Sequence, residues 1–172
     1  QMMGRQINDP YHVESTKDNI QGLGLLETIT TFAREKQTYQ VKARMLEHEH
    51  LFPVDDELVG YEIHMGETTY NGNKSVMPFA RITERGGETV EILDGCISTN
   101  GNVIGTYIHG IFDNDGFRTK LIDYMRLKKG LKPSNGCSAD FKSIKERRYN
   151  ELADIVRRNI NMNLVYSMMQ SS

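Results

Sequence analysis

One histidine in the sequence ends a segment that is typical of a buried strand. The run VIGTYI leads into His109, which is followed by Gly110 and then by a helix start. A side chain at such a position projects at the carboxyl edge of a sheet, where open α/β folds bind their ligands. Imidazole gains and loses a proton near neutral pH, so acid–base chemistry is one interpretation of His109. The position fits equally well a histidine that only ends a strand and hydrogen-bonds to a loop.

The two cysteines, Cys96 and Cys137, do not occupy positions that activate a nucleophile. An exposed nucleophile needs a sharp turn between a strand and a helix, with glycines on both sides. Cys96 lies in a predicted strand, and Cys137 lies in a polar linker. We therefore predict that neither cysteine is catalytic. Two isolated cysteines also favour a reducing cytoplasm over a disulfide framework.

Three short motifs resemble metal or nucleotide sites but fail in detail. The EHEH segment at 47–50 offers two histidines without a third ligand near them in the sequence. The DNDG segment at 113–116 resembles a calcium loop, yet Ile122 stands where the bidentate acid belongs. In GLGLLE at 22–27, Glu27 replaces the third glycine of a dinucleotide motif. We predict no metal and no cofactor in this chain, and Asp115 is instead predicted to cap the next helix.

Hydrophobic periodicity predicts the elements that position these residues. Alternation predicts strands in QTYQVKARM (37–45) and LVGYEIHM (58–65), with shorter strands around MPFARI and ETVEIL. Asn100-Gly101 predicts a hairpin turn. Helical spacing predicts one helix over 117–129, closed by Gly130, and a second from about 139 to 168. Residues 1–7 are predicted to be the end of a helix that Asn8-Asp9-Pro10 terminates. This order predicts an α/β domain whose first strands precede the sequence.

Composition limits the classes of function. The 172 residues carry 21 basic and 23 acidic side chains, a net charge of −2, and no basic stripe. Nucleic-acid binding therefore has little electrostatic support. The longest apolar run falls well short of the roughly 18 residues that span a bilayer, and the N-terminus lacks a signal-peptide pattern. We expect a cytoplasmic protein without a nucleic-acid or membrane partner.

Two long motifs resemble signature segments of the cobyric acid synthase family. They are GYEIHMG at 60–66 and GTYIHGIFDN at 105–114, and GLGLL at 22–26 and the opening QMMG fit the same family in the same order. The resemblance covers nearly the whole chain. It implies a flavodoxin-like class I glutamine amidotransferase domain, of which residues 1–172 are the C-terminal part, without its N-terminal strands and nucleophile turn. It also implies an ATP-dependent synthetase domain on the N-terminal side.

The resemblance implies a reaction as well. In this family glutamine is hydrolysed, and the ammonia passes to the synthetase domain, where ATP with Mg²⁺ activates carboxylates of a corrin ring during cobalamin synthesis. A cysteine thiolate attacks the glutamine amide, and a histidine moves the protons. By resemblance, His109 is that histidine and Gln1 contacts the substrate amino acid. The cysteine is then expected four residues before Gln1, so that this chain alone is expected to be inactive.

The remaining site residues also rest on the resemblance. Ile111 stands where relatives with a full triad carry an acid, which leaves Asp113 or another domain to orient His109. Glu62 and His64 share one strand face and are expected either to line the glutamine pocket or the ammonia exit, or to form a polar face bonded to a loop. His109 is expected to face the start of the helix that contains Gln1, about 10 Å from the Gln1 backbone. Glu62 and His64 are expected in the same cleft if they form the glutamine pocket.

Three interpretations of the whole chain remain at this point. The first is the amidotransferase portion of a cobyric acid synthase. The second keeps the chemistry but changes the acceptor, as in cobyrinic acid diamide synthases or peptidoglycan-amidating relatives. The third is a non-catalytic docking module.

Overall fold

The computed structural model describes residues 1–54, 56–70, 76–134 and 140–170. These ranges contain ten strands, three α-helices and a 3₁₀ turn at Ile111–Asp113, so that the predicted α/β class is confirmed. The strands are β1 Gln6–Asn8, β2 Asn19–Gln21, β3 Thr28–Met45, β4 Leu58–Tyr70, β5 Val76–Met77, β6 Ala80–Arg85, β7 Glu88–Asp94, β8 Cys96–Ser98, β9 Ile104–Gly105 and β10 Ile108–His109. The helices are α1 Asp115–Lys128, α2 Phe141–Asn159 and α3 Met162–Gln170.

A long antiparallel hairpin of β3 and β4 forms the centre of the larger sheet. Its register runs from Thr28 opposite Tyr70 to Ala43 opposite Leu58, with an irregularity between Phe32 and Gln37. The larger sheet has the order β10-β4-β3-β1-β2, and β6 joins β3 and carries β7 at its other side. Among the described strands, β1 and β3 form the parallel pair, and the other pairings are antiparallel. A second sheet has the order β5-β8-β9.

The hydrophobic core lies against one face of this hairpin. Alternate residues of β3, β4 and β6 point into it, because the side-chain period of a strand is two. The core also includes residues of β10, of the turn that follows it and of the first turn of α1. Its fully or nearly fully buried members include Val41, Ala43, Leu58, Phe79, Ile82, Ile108, Ile111 and Phe117.

The first residues form a turn and a strand, so the predicted helix over 1–7 is wrong. Main-chain N–H groups of the segment 22–26 donate to carbonyl oxygens of Met2, Met3, Gly4 and Arg5 at 2.8–2.9 Å. A helix would need those carbonyl oxygens for its own hydrogen bonds. The glycines of GLGLL allow this approach, because a Cβ on Gly22 would lie 2.2 Å from the oxygen of Gly4.

Two helix ends also differ from the prediction. Asn114, rather than Asp115, is the N-cap residue of α1, and Asp115 pairs with Arg118 inside the first turn. The single helix predicted over 139–168 is two helices, because Ile160 has an extended backbone and the Asn161 side chain accepts from the N–H of Leu164 to start α3. The hairpin at Asn100-Gly101 is confirmed between β8 and β9.

Candidate functional site

A cavity of about 420 Å³ lies beside β4, on the face that carries Glu62 and His64. The turn at Gln1 forms one wall, and the segments 94–96 and 105–107 form another. The structure thus brings three of the predicted site residues together: Gln1, Glu62 and His64. The other polar side chains of the lining are Thr28, Glu67, Thr68, Tyr70, Arg85, Asp94, Cys96, Thr106 and Tyr107.

Glu62 is the buried centre of a charged cluster in this cavity. Its Oε1 lies 2.9 Å from Nε2 of His64, and its Oε2 lies 2.7 Å from Nε of Arg85. The Arg85 guanidinium lies 4.2 Å from the ring centroid of Tyr39, which holds the guanidinium over an aromatic face. The cluster therefore has two cationic groups around one carboxylate.

The hydrogen bonds of His64 indicate that each of its ring nitrogens carries a proton. Nδ1 lies 2.7 Å from the carbonyl oxygen of Gly66, which can only accept, so Nδ1 carries a proton. Nε2 faces the Glu62 carboxylate and donates to it. The hydrogen bond with Glu62 raises the pKa of His64 against the opposing effect of burial. Burial opposes ionisation of Glu62, but the hydrogen bond from His64 and the charge of Arg85 outweigh it and lower the pKa of Glu62.

The second wall carries a buried acid and a hydroxyl chain. Asp94 accepts hydrogen bonds from the Thr106 hydroxyl and from the N–H of Tyr107, and burial raises the pKa of Asp94. The Tyr107 hydroxyl bonds the hydroxyl of Thr68, and the Tyr107 ring lies 4.5 Å from the His64 ring. Tyr107 therefore links this wall to the charged cluster.

Cys96 also lies in the cavity wall, but the environment does not activate it. Burial raises the pKa of the Cys96 thiol to about 11. A thiol with that pKa is almost entirely protonated near neutral pH, and the protonated form is a poor nucleophile. Cys137 lies outside the described residues.

His109 lies on the other face of the sheet. In the antiparallel pairing of β10 with β4, Ile108 stands opposite Glu62 and His109 stands opposite Tyr61. Residues that pair directly share a face, so His109 and Tyr61 are exposed together whereas Glu62 faces the cavity. The expectation that His109 shares one cleft with Gln1, Glu62 and His64 is therefore wrong for the described structure. Gln1 also belongs to a turn, so His109 does not face a helix that contains it.

The turn after His109 is fastened to the sheet by Asn114. The Asn114 amide donates to the carbonyl oxygen of Val59 at 3.0 Å and accepts from its N–H at 2.9 Å. Gly110 allows the turn because its φ of 77° lies in the left-handed region. A smaller cavity of about 260 Å³ on this face is lined by Gln40, Val59, Gly60, Tyr61, Gly110, Asp113 and Asn114. No hydrogen bond between Asp113 and His109 is formed within the described ranges.

Sequence reasoning missed Arg85, Asp94 and Tyr107. Arg85 ends a strand and precedes a two-glycine turn, so its position signals a hairpin end rather than a site. Asp94 similarly ends a strand ahead of Gly95. Tyr107 lies inside the GTYIHGIFDN motif, two residues before His109, and that motif was the available signal for it.

Within residues 1–54, 56–70, 76–134 and 140–170, no three His, Cys, Asp or Glu side chains are grouped as metal ligands would be. None of the helices found there has the length and apolar character needed to cross a bilayer.

Comparison with known proteins gives the family. Residues 1–117 match the CobB/CobQ-like glutamine amidotransferase domain. Cobyric acid synthase of Thermoanaerobacter sp. (strain X514) is 46% identical over 99% of this chain and 34% of that relative. The cobyric acid synthases of Clostridium botulinum (strain Langeland) and Alkaliphilus metalliredigens are each 42% identical, over 98% and 99% of this chain. The chain spans about a third of the length of these relatives. It belongs to the CobB/CobQ-like glutamine amidotransferase family.

Proposed function

We propose that this chain is the amidotransferase portion of a cobyric acid synthase, which hydrolyses glutamine and supplies ammonia for amidation of corrin carboxylates. The ATP- and Mg²⁺-dependent step would belong to a synthetase portion on its N-terminal side, in the two-thirds of the relatives' length that this chain does not cover. The enzyme would work in the cytoplasm as part of cobalamin biosynthesis. The family membership and the names of the relatives support this proposal.

The geometric observation that carries the proposal is the cationic cluster beside Gln1. Protonated His64 and Arg85 contribute two positive charges, and Glu62 contributes one negative charge, which leaves the cluster with a net charge of +1. The two cationic groups of this cluster suit the carboxylate of an amino acid, because charge-assisted hydrogen bonds to carboxylates are strong, whereas Glu67 and Asp94 in the same lining are acidic. The cavity volume of about 420 Å³ is within the range of small-molecule sites. Gln1, Glu62 and His64 are thus proposed to bind glutamine.

His109 is proposed to be the acid–base group of the reaction. It would accept the proton of a cysteine thiol, and the sulfur would form a bond to the side-chain amide carbon of glutamine. His109 would then give its proton to the leaving nitrogen, so that ammonia departs and a glutamyl thioester remains for hydrolysis by water. By the family resemblance, the cysteine is proposed to lie four residues before Gln1 in the complete protein. Cys96 is a poor alternative, because burial raises the pKa of its thiol.

The position of β10 is compatible with this arrangement. Within the described sheet β10 pairs with β4 and has no strand on its other side. The cavity is lined by Gly105, Thr106 and Tyr107, and His109 follows two residues later, about 7 Å further along an extended chain. A nucleophile brought to the open edge of β10 could therefore reach both the cavity and the imidazole.

Glutamate release from glutamine by the complete protein tests the proposal. His109→Ala should lower the turnover number by at least about 100-fold, which is the smaller end of general acid–base contributions. Glu62→Gln should chiefly raise KM, since it disturbs the cluster that binds the amino acid. His50→Ala is the matched control, because His50 is an exposed histidine that does not line the 420 Å³ cavity and does not belong to β10. Unchanged turnover in His109→Ala would refute the catalytic assignment.

A further inference from the structure

The C-terminal helices expose an apolar surface that the rest of the described chain does not cover. Neither α2 nor α3 contains a buried residue. Five large apolar side chains of α2 and its end are 38–57% exposed, and together they are called the α2 stripe here: Tyr149, Leu152, Ile155, Val156 and Ile160. Isolated helices are marginal in water, and most helical stability in proteins comes from packing of an apolar face. The α2 stripe is therefore expected to be covered in the working protein.

The α2 stripe has the geometry of a docking face. Its members recur at intervals of three and four residues, so that they lie on one side of the helix. Ser143, Asn150 and Asp154 lie on the opposite side by the same period. Such a one-sided arrangement is typical of a helix that packs against one partner surface.

The charge of α2 adds a requirement on the partner. The helix has a net charge of +3, from six basic residues (Lys142, Lys145, Arg147, Arg148, Arg157 and Arg158) and three acidic ones (Glu146, Glu151 and Asp154). Glu151 and Asp154 already pair with arginines of the same helix. Lys145 and Arg148 lie beside the stripe by helical period. A partner surface that combines apolar and acidic residues is therefore favoured.

The extent of the matches to known proteins favours one partner. The shared amidotransferase family covers residues 1–117 and stops before α2. The cobyric acid synthases match 98–99% of the chain and therefore also carry the segment that forms α2. The α2 segment is therefore present in relatives that are about three times as long as this chain. We propose that the α2 stripe docks on the synthetase portion of the same polypeptide, an inference that rests on the proposed function.

Hydrogen–deuterium exchange of the complete protein and of the 172-residue chain tests this docking. Amides of residues 149–160 should exchange at least about tenfold more slowly in the complete protein, because docking removes local opening. Amides of α1, which contains the buried Phe117, serve as an internal reference for folding. Leu152→Glu should abolish the protection, whereas Asn150→Glu, with the same new charge on the opposite side, should preserve it. Equally fast exchange in both proteins would overturn the proposal.

Two further measurements decide which surface covers the stripe. In the complete protein, chemical cross-links from Lys145 should join the synthetase portion. Cross-links that join only the amidotransferase portion would contradict the proposal. Light scattering should find the 172-residue chain monomeric, and a dimer that Leu152→Glu dissociates would assign the stripe to a second copy. None of these readouts depends on glutamine hydrolysis, so loss of the amidotransferase assignment would be seen separately in glutamate release.

Discussion

Glu62 and His64 form a charge pair whose strength depends on pH. The pKa of His64 is raised, chiefly by the hydrogen bond with Glu62, so its contribution to stability is complete below the unfolded-state pKa and is lost as pH rises through the folded pKa. The pKa of Glu62 is lowered, so its contribution is present above the unfolded-state pKa and is lost as pH falls through the folded pKa. The intact cluster therefore exists between these two folded-state values.

A nuclear magnetic resonance titration of the His64 ring tests this pair. The pKa of His64 should lie above the ordinary value of about 6.5 and should fall in Glu62→Gln, which removes the carboxylate charge. Glu88→Gln is the control, because Glu88 is exposed at the start of β7. A His64 pKa that is the same in the wild type and in Glu62→Gln would show that the hydrogen bond does not form in solution.

The residue-scale predictions succeeded where a strand period decided them. Glu62 and His64 were predicted on one face because they are two residues apart, and the structure has them there. His109 was placed in the same cleft, but the pairing register sets it opposite Tyr61 rather than Glu62. A shift by one residue moves a side chain to the other face, and the register of two distant strands is not visible in the sequence. Arg85 was missed because its partner Glu62 is brought close only by the pairing of β3 with both strands.

At the scale of elements, Asn114 joins the start of α1 to β4. Asn114→Ala removes both hydrogen bonds to the Val59 main chain and should lower the free energy of unfolding by about 2 kcal/mol, since each bond contributes about 1. Asn150→Ala on exposed α2 should lower it little or raise it slightly. Urea unfolding measures both. If Asn114→Ala lowers the free energy of unfolding no more than Asn150→Ala does, the Asn114 amide does not stabilise the attachment of α1 to β4.

The turn between β7 and β8 requires a glycine both for its left-handed backbone and because a side chain there would collide with the neighbouring main chain. Gly95 has a φ of 64°, and a Cβ there would lie 2.2 Å from the carbonyl oxygen of Gly105. Gly24 has a φ of 65° but open space around it. Gly24→Ala should therefore lower the free energy of unfolding by about 1–2 kcal/mol, from left-handed strain alone. Gly95→Ala should lower it by about 1–3 kcal/mol more, because the backbone of the cavity wall must move. Equal losses in thermal or urea unfolding would contradict the steric argument.

The elements themselves were predicted best where their signals were local. The β3–β4 strands, the Asn100-Gly101 hairpin and α1 follow from alternation, turn chemistry and helical spacing. The predicted helix over 1–7 is wrong because the N–H groups of GLGLL, about twenty residues away, bind the carbonyl oxygens of this segment. The predicted second helix was too long because nothing in its apolar period marks the break at Ile160.

At the scale of the whole molecule, the described cavity lacks an activated nucleophile. With a pKa of about 11, roughly one Cys96 thiol in several thousand is ionised near pH 7.5. The 172-residue chain alone should therefore release no glutamate from glutamine above the background. An enzymatic glutamate assay measures this, with Cys96→Ser and Cys137→Ser as companions. Turnover by the chain that either substitution abolishes would place the nucleophile within it.

We propose that His109 serves glutamine hydrolysis and not the later use of ammonia. The most direct test is the ratio of glutamine-driven to ammonia-driven corrin amidation by the complete protein carrying His109→Ala. The glutamine-driven rate should fall by at least about 100-fold, because a general acid–base group is lost. The ammonia-driven rate should stay within about twofold of wild type, because free ammonia enters after the step that His109 serves. A parallel fall of both rates, which leaves the ratio unchanged, would show that His109 is a structural residue and not the acid–base group of glutamine hydrolysis.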